Sequence, residues 1–207
     1  MTKREIIKKV INHEQPPYVP WAFKFTIEAR QKLEAHWGKN NFEEKLDNHI
    51  LFLGNDYGFF EDLGNNCFKD YFGVVWDRTI DKDIGNIKNE ILTTPKDLDN
   101  YQFPDPTANI MFEDIDGQIA KYPDRYRLFQ VGFSLYERAW TLRGIANLLM
   151  DFIKHPEFVK ELFRKIADYN IAQIKQALTY DIDGVYFGDD WGQQKGLIMG
   201  PKLWKAF

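Results

Sequence analysis

The spacing of apolar residues divides the chain into amphipathic helices and short apolar strands. The clearest helix follows His155, where Phe158, Leu162 and Ile166 recur every four residues along one face. Strands are predicted at the apolar and β-branched runs "YVPWAFKF", "ILFLGND", "RYRLFQVGF" and "DGVYFGDD". Because these strands alternate with helices and lack a polar face, the pattern predicts α/β architecture, with a parallel sheet covered on both sides.

Capping residues predict where other helices begin and end. Thr2 with Glu5 fits a capping box, so a first helix is expected to begin there and to end near His13. Thr26 is expected to cap a second helix that ends at Gly38. The other predicted elements are a helix from Asn41, a helix in "TANIMFEDIDGQIAKYP", one or two helices in "SLYERAWTLRGIANLLMDFIKH", and a β region from Cys67 to Leu92.

Length and strand count favour a single, incomplete domain. For a chain of 207 residues, one domain is the default expectation. About four core strands are predicted, whereas a closed eight-stranded barrel takes roughly 250 residues. The last segment, "GPKLWKAF", begins a helix at Pro201 and stops within its second turn. We therefore expect residues 1–207 to be part of a larger fold.

Composition and charge narrow the class of protein. The chain is 44% hydrophobic with a formal charge of −4, from 31 acidic and 27 basic residues, and no basic stripe stands out. Nucleic acid is therefore not an expected partner. The amino terminus lacks the apolar core of a signal peptide, and no segment reaches the roughly 20 apolar residues that span a bilayer. We expect a cytoplasmic protein with no membrane partner.

The residues that several common chemistries need are absent. Cys67 is the only cysteine, so no internal disulfide or multi-cysteine zinc site is expected, and the four histidines are scattered. Ser134 is the only serine and does not lie in a Gly-x-Ser-x-Gly turn. Neither a phosphate loop nor a dinucleotide fingerprint occurs. No cofactor or metal site is therefore predicted within this chain.

Two adjacent carboxylates end the last predicted strand. In "DGVYFGDD", alternation places Asp189 and Asp190 on opposite sides, so only one of them can face the inside of a barrel. Ligands of parallel α/β folds bind at the carboxyl ends of strands, and we predict that both aspartates are catalytic. A carboxylate there could hold an amine or a pyrrole N–H, accept a proton or orient a metal-bound group. Trp191 is expected to supply an apolar wall for the substrate. The alternative is that Asp190 caps a turn and Asp189 pairs with a nearby base.

Four further residues are predicted to lie at the same end of the sheet. Asp56 is the last residue of "ILFLGND" and, like the aspartate pair, follows a predicted strand at its carboxyl end, so it is predicted to be catalytic. Glu137 and Arg138 open a helix just after a strand, and Arg143 lies further along it. These three are predicted to bind substrate, since an arginine and a helix start both favour a carboxylate or phosphate. The alternative is one buried ion pair and one solvated charge.

Five segments together resemble the uroporphyrinogen decarboxylase superfamily, which also contains corrinoid-dependent methyltransferases. They are "TKREIIKKVINHEQPPYVP", "DYFGVVWDR", "YQFPDP", "GFSLYERAWTLRGIANLLMDF" and "GVYFGDDWGQQKGLIMGPKLWKAF". The resemblance runs from Thr2 to Phe207 with the segments in the same order. It implies a TIM-type (β/α)8 barrel with its pocket at the carboxyl face, of which this chain would be the amino-terminal half.

The residues depart from the decarboxylase branch. Its arginine-rich "RQAGRY" signature is replaced by "WAFKFTIEAR", which has Lys24 and Arg30 but no matching motif. Asp56 is a loose match for the aspartate that holds the pyrrole N–H groups in that branch. Asp189 or Asp190 matches the acid of its "DSWAG" segment, and Gly200 replaces a later serine. This departure counts against true uroporphyrinogen decarboxylation.

The methyltransferase branch is similar in lacking the arginine signature. Its zinc ligands would lie beyond Phe207, and a corrinoid protein would be its partner. The resemblance therefore implies a corrinoid-linked methyltransferase, with a small molecule or a corrinoid as substrate. Two alternatives remain. One is a carboxy-lyase acting on a tetrapyrrole or a smaller acid. The other is a truncated, non-catalytic half-barrel that needs a partner chain, and this partner could be a second copy in a homo-oligomer.

Overall fold

A computed structural model describes residues 1–39, 42–54 and 60–207. The fold is mixed α/β, as the sequence pattern predicts. Its helices are α1 (Lys3–Ile11), α2 (Ile27–Trp37), α3 (Phe42–Leu46), α4 (Ile115–Lys121), α5 (Tyr136–Arg143), α6 (Ile145–Lys154), α7 (Pro156–Ala177) and α8 (Gly200–Ala206). Its strands are β1 (Ile50–Leu53), β2 (Phe60–Gly64), β3 (Cys67–Asp70), β4 (Val75–Asp77), β5 (Asn86–Ile87), β6 (Tyr126–Val131), β7 (Gly184–Phe187), β8 (Gly192–Gln193) and β9 (Gly196–Leu197).

Strands β1, β6 and β7 form a parallel sheet in which chain order is also spatial order. Phe52 pairs with Leu128, and Leu128 pairs with Gly184, so these three residues share one row and one face. Among the described residues the sheet is open, and a closed barrel is not present. Strands β2 to β5 form a separate antiparallel sheet. The β region predicted from Cys67 to Leu92 is confirmed by β3, β4 and β5, and β2 precedes the predicted region.

The two faces of the parallel sheet differ in what covers them. On one face, Leu53, Phe129 and Val185 pack with apolar residues from α4, α7 and the 3-10 turn Asn109–Phe112. On the other, which we call the open face and define by Phe52, Leu128, Gln130 and Tyr186, the Tyr186 side chain is 40% exposed. The sequence predicted a sheet covered on both sides, and the structure shows that the open face is the less covered of the two.

The predicted strand "YVPWAFKF" is extended but forms no regular ladder, so this prediction is wrong. The Trp21 carbonyl accepts a 2.9 Å hydrogen bond from the backbone N–H of His49, beside β1. At Phe23 the partner is instead the side-chain amide of Asn48, whose oxygen accepts from the backbone N–H at 2.8 Å. Pro20 lacks an N–H and a side-chain amide occupies the next rung, so regular pairing stops.

Local backbone chemistry sets the ends of the helices. The capping box of Thr2 and Glu5 at α1 is confirmed, as is the Thr26 cap of α2. The segment predicted as one or two helices is two, because Gly144 has a φ of 80° and separates α5 from α6. Asp114, with a φ of 57°, likewise shortens the helix predicted before β6 to α4 and a preceding 3-10 turn.

Helix α1 closes the amino end of the parallel sheet. Lys3 forms ion pairs with Asp47 at 2.6 Å and with Asp124 at 3.1 Å, and these two aspartates precede β1 and β6. Arg4 pairs at 2.8 Å with Asp183, which precedes β7 and whose side chain is buried. The basic face of α1 thus forms ion pairs with the aspartates that precede the three parallel strands in sequence. Ligand access is therefore expected at the carboxyl end, where strand-to-helix loops gather.

The antiparallel sheet and helices α5 to α7 share the larger apolar core. Trp76 of β4 is almost completely buried and stacks on Phe133, with ring centroids 5.5 Å apart. None of the helices in residues 1–39, 42–54 and 60–207 has both the length and the apolar composition needed to cross a membrane.

Candidate functional site

The loops that follow β6 and β7 are tied together at the carboxyl end of the sheet. The backbone N–H of Gly188 donates to the Val131 carbonyl, and the N–H of Ser134 donates to the Gly188 carbonyl, both at 2.9 Å. Between them Phe133 has a φ of 49°, a left-handed conformation that redirects the chain from β6 towards α5. The end of β7 is thereby held beside the start of α5.

Asp189 uses this proximity to cap α5. Its carboxylate accepts hydrogen bonds from the backbone N–H of Tyr136 at 2.9 Å and of Glu137 at 2.8 Å. These groups belong to the first turn of the helix, where N–H groups have no partner within the helix and the helix dipole favours a negative charge. Burial raises the pKa of Asp189, while the backbone hydrogen bonds act in the opposite direction. The predicted catalytic aspartate thus has a structural role that the sequence pattern did not indicate.

Glu137 is the most perturbed carboxyl group of this region. Burial, followed by the nearby charges of Asp189 and Asp190, raises the pKa of Glu137 to about 7. A hydrogen bond from the Asp190 backbone and the charge of Arg138 oppose the shift without cancelling it. A carboxyl with this pKa exchanges its proton near neutral pH, as a general acid or base requires. The sequence predicted Glu137 to bind substrate, and its raised pKa suits it to proton transfer as well.

Asp190 and Trp191 follow at the rim. The exposed Asp190 side chain accepts a 3.0 Å hydrogen bond from the backbone N–H of Gly192, which is the turn-capping alternative that the sequence left open. Trp191 stacks on Tyr136 with ring centroids 5.3 Å apart. Together with Asp189 it lines a mainly apolar groove of about 480 Å³ between α7 and β7. Trp191 therefore does form a wall beside the carboxylates.

Tyr136 places a hydroxyl group near the same carboxylates. Its side chain is completely buried, and the hydroxyl has no hydrogen-bond partner among the described residues. Burial, followed by the charges of Asp189 and Asp190, raises the pKa of Tyr136 to about 12. The phenol therefore stays protonated at neutral pH and is a potential hydrogen-bond donor.

Arg138 and Arg143, both predicted to bind substrate, point into the fold instead. Arg138 forms a buried 2.9 Å ion pair with Asp70 and lies 3.9 Å from the centre of the Phe72 ring. Arg143 pairs with Asp151 at 2.7 Å and donates to two backbone carbonyls, those of Leu92 and Thr93. Because both guanidinium groups are enclosed by internal partners, we assign them to the packing of α5 and not to a ligand.

The third predicted catalytic residue, Asp56, lies outside the described residues. The chain approaches it through Gly54, which has a φ of 77°. A Cβ atom at Gly54 would lie 2.6 Å from the Phe129 ring, so this position requires glycine on two grounds.

The open face carries a second polar group that sequence reasoning did not select. The Lys24 ammonium donates a 2.6 Å hydrogen bond to the buried amide of Gln130. It also lies 4.8 Å from the ring centre of Phe52 and 5.3 Å from that of Tyr186. The pattern of "YRLFQV" could have revealed Gln130, because it is the polar residue among the last four positions of the strand, Leu128 to Val131. Lys24 could not be found this way, since its segment forms no ladder.

Neither a search for metal-binding groups nor comparison with known proteins assigns a function to these residues. In the part of the chain that the structure describes, no three His, Cys, Asp or Glu side chains are arranged to hold a metal ion. No family model matches the chain, and neither a curated protein nor a solved structure was found to match it. The fold and site together define a mixed α/β protein with a carboxylate cluster at the carboxyl end of a parallel sheet.

Proposed function

We propose that this chain is the amino-terminal part of a (β/α)8 barrel of the uroporphyrinogen decarboxylase and corrinoid methyltransferase type. Three features support this architecture. The parallel strands are neighbours in chain order, their helices pack on one face, and α1 closes the amino end. A doubly wound sheet would instead reverse its strand order and carry helices on both faces.

The reaction we propose is corrinoid-linked methyl transfer, with Glu137 as the proton donor. When a methyl group leaves an oxygen or nitrogen atom as a cation equivalent, that atom keeps the bonding pair and must gain a proton. A reduced corrinoid, as the methyl acceptor, would supply the electron pair that receives the methyl group. The observation that carries the proposal is the partly buried carboxyl of Glu137 beside Asp189 at the carboxyl end of the sheet, with its pKa raised to about 7.

Neighbouring residues would prepare Glu137 for this role. Asp189 fixes the start of α5 and, with Asp190, keeps the Glu137 proton in place by charge repulsion. Trp191, which stacks on Tyr136, would form an apolar wall beside the carboxylates. The described residues do not provide a zinc site, so we assign no step to a metal held by this chain.

Decarboxylation of a tetrapyrrole or smaller acid is the second candidate. The carbon that loses carbon dioxide keeps the bonding pair and takes up a proton, so the same property of Glu137 favours this reaction as well. The missing arginine signature places it second, because a substrate with many carboxylates needs several cations.

A paired assay tests both candidates. The purified protein with its complete barrel is incubated with a reduced corrinoid and a panel of O-methyl and N-methyl donors, and methyl-corrinoid is followed by its absorbance. Carbon dioxide release from uroporphyrinogen is measured in parallel. We expect methyl-corrinoid formation that falls by about 100-fold or more in Glu137→Gln. Glu157→Gln, at an exposed position of α7, is the matched control and should retain activity. Absence of both reactions, or full activity of Glu137→Gln, would contradict the proposal.

A further inference from the structure

One face of the antiparallel sheet is turned towards the candidate site. Phe68 of β3 pairs with Trp76 of β4, and Asp70 follows Phe68 on the same side of its strand. Trp76 stacks on Phe133 in the loop after β6. Asp70 forms its buried ion pair with Arg138 of α5. We call this surface the inner face and define it by Phe68, Asp70 and Trp76. It packs on the loop and the helix that position the carboxylate cluster.

Arg78 also lies on the inner face. Its guanidinium carbon is 4.7 Å from the ring centre of Phe68 and 4.3 Å from that of Phe60. Its Nε donates a 3.3 Å hydrogen bond to the Ile84 carbonyl. Contacts with two aromatic rings and a carbonyl group therefore fix the position of this half-buried cation.

The two arginines of the inner face differ in how their charge is balanced. Arg138 has the carboxylate of Asp70 at 2.9 Å, whereas no Asp or Glu side chain in residues 1–39, 42–54 and 60–207 forms an ion pair with Arg78. Burial lowers the pKa of Arg78, and the charges of Asp81 and Asp83 oppose this without cancelling it. An anion in contact with the Arg78 guanidinium would offset the cost of burying its charge.

The loop beside Arg78 is fastened to the start of α2. Asp83 accepts a 2.6 Å hydrogen bond from the backbone N–H of Ile27, and Lys82 pairs with Glu28 at 3.1 Å. Asp81 accepts a 3.0 Å hydrogen bond from the backbone N–H of Asp83. The two acids nearest to Arg78 in sequence thus hold backbone groups, and one of them joins the antiparallel sheet to α2.

These contacts place Arg78 at the carboxyl end of the parallel sheet. Segment 18–25, the extended segment beside β1, meets His49 at Trp21. It meets Phe52 at Lys24, so it advances in the direction of β1. Helix α2 follows this segment and therefore begins at the carboxyl end. The loop that Arg78 contacts is bonded to that helix start, and β4 packs on the loop after β6. Arg78 thus reaches the end of the sheet where a ligand is expected.

We propose that Arg78 binds a carboxylate group of the substrate. The inference rests on the proposed function and narrows its methyl donor to an O-methyl or N-methyl compound that carries a carboxylate. The described residues engage only the Nε of Arg78, so both Nη groups can pair with the two oxygens of one carboxylate. A phosphate dianion fits less well, because Asp81 and Asp83 repel the higher charge more strongly.

The first test compares acids with their neutral amides. Affinities of the purified protein with its complete barrel are measured by calorimetry without a corrinoid, so that no methyl transfer occurs. The probes are 4-methoxybenzoate, methoxyacetate and N,N-dimethylglycine, each compared with the amide of the same shape. We expect at least one acid to bind about 10-fold or more tightly than its amide. If no acid is preferred to its amide, the inference is overturned.

Variants of Arg78 test whether this residue is responsible. Arg78→Gln should abolish the preference for the acid, with affinity for the amide and the circular dichroism spectrum unchanged. Arg78→Lys keeps the charge but not the paired geometry and should reduce the preference in part, which decides the question if Arg78→Gln does not fold. Arg164→Gln, at an exposed position of α7, is the matched control and should bind like the wild type. A wild-type preference in both Arg78 variants, or inorganic phosphate that competes as well as the acid, would contradict the inference.

The outcome is separable from that of the proposed function. Glu137→Gln removes the proposed proton donor and should keep the preference for acids, since binding precedes the chemistry. A preference for acids without methyl transfer in the paired assay would count against methyl transfer alone. Methyl transfer from acids and amides with equal kcat/KM would overturn the role of Arg78 alone.

Discussion

The backbone N–H of Glu137 donates a 2.8 Å hydrogen bond to the carboxylate of Asp189, which joins the start of α5 to the end of β7. The same contact brings a second acid close to the Glu137 side chain, whose pKa is raised by burial and then by the charges of Asp189 and Asp190. Asp189 thus caps a helix and, together with burial, raises the pKa of Glu137. This relationship gives the predictions about the site that follow.

Glu137→Gln should change how stability depends on pH. Since the pKa of Glu137 is raised to about 7 from an ordinary value of 4.5, the unfolded chain releases this proton first as pH rises. Wild-type unfolding free energy should therefore fall between about pH 4.5 and pH 7, by about 2 kcal/mol after allowing for solvent screening. Glu137→Gln should lack this component in urea denaturation. An identical pH profile for both proteins would refute the assignment.

Asp189→Ala should destabilise the protein, whereas Asp190→Ala should hardly do so. Asp189 accepts two backbone hydrogen bonds at the helix start, and loss of such a cap costs about 1–2 kcal/mol. Asp190 is exposed and bonds only the turn at Gly192, so its loss should cost within about 0.5 kcal/mol. Urea midpoints of the two variants provide the comparison. Equal losses would show that Asp189 does not act as the cap.

Arg138→Met should be among the most damaging substitutions outside the apolar core. It leaves the Asp70 carboxylate buried without its cation, and breaking a buried pair in this way costs about 3–5 kcal/mol. Lys69→Met, which removes the exposed pair with Glu61, should cost at most about 1 kcal/mol. Thermal unfolding distinguishes the two. A small effect of Arg138→Met would reopen the prediction that this arginine serves a ligand.

His49 should make the protein less stable in acid. Burial and the charge of Lys3 lower the pKa of His49, against weaker opposing contributions from the Trp21 backbone, Asp47 and Asp124. The unfolded chain therefore takes up this proton first, so stability is lost as pH falls below the ordinary histidine range near 6.5. The difference in unfolding free energy between the wild type and His49→Gln should shrink on acidification. A constant difference would contradict this explanation.

The sequence predicted elements well where the periodicity was strong. At three elements the local sequence preference matches the final structure, and all three were predicted. They are the apolar face of α7, the capping box of Thr2 and the apolar run of β6. Segment 18–25 was not, because whether an extended segment joins a ladder depends on Asn48, a residue distant in sequence. Local pattern does not carry that information.

Site prediction had a similar limit. The aspartates after β7 were predicted from their strand-end position and from the family resemblance, and the structure brings Asp189 to Glu137. What the pattern could not tell is which charges are satisfied internally. Arg138 has its partner, Asp70, 68 residues away on β3, and Lys24 reaches Gln130 across the sheet. Such pairs depend on tertiary packing, and spacing along the chain does not reveal them.

The most direct measurement of the central claim is the titration of the Glu137 carboxyl carbon by ¹³C NMR, with Glu137→Gln used to assign the signal. The account predicts a midpoint near pH 7 that moves to lower pH in Asp190→Asn, because one of the charges that retain the proton has been removed. A midpoint between about 4 and 5 in the wild type, the ordinary range of an exposed glutamate, would contradict it.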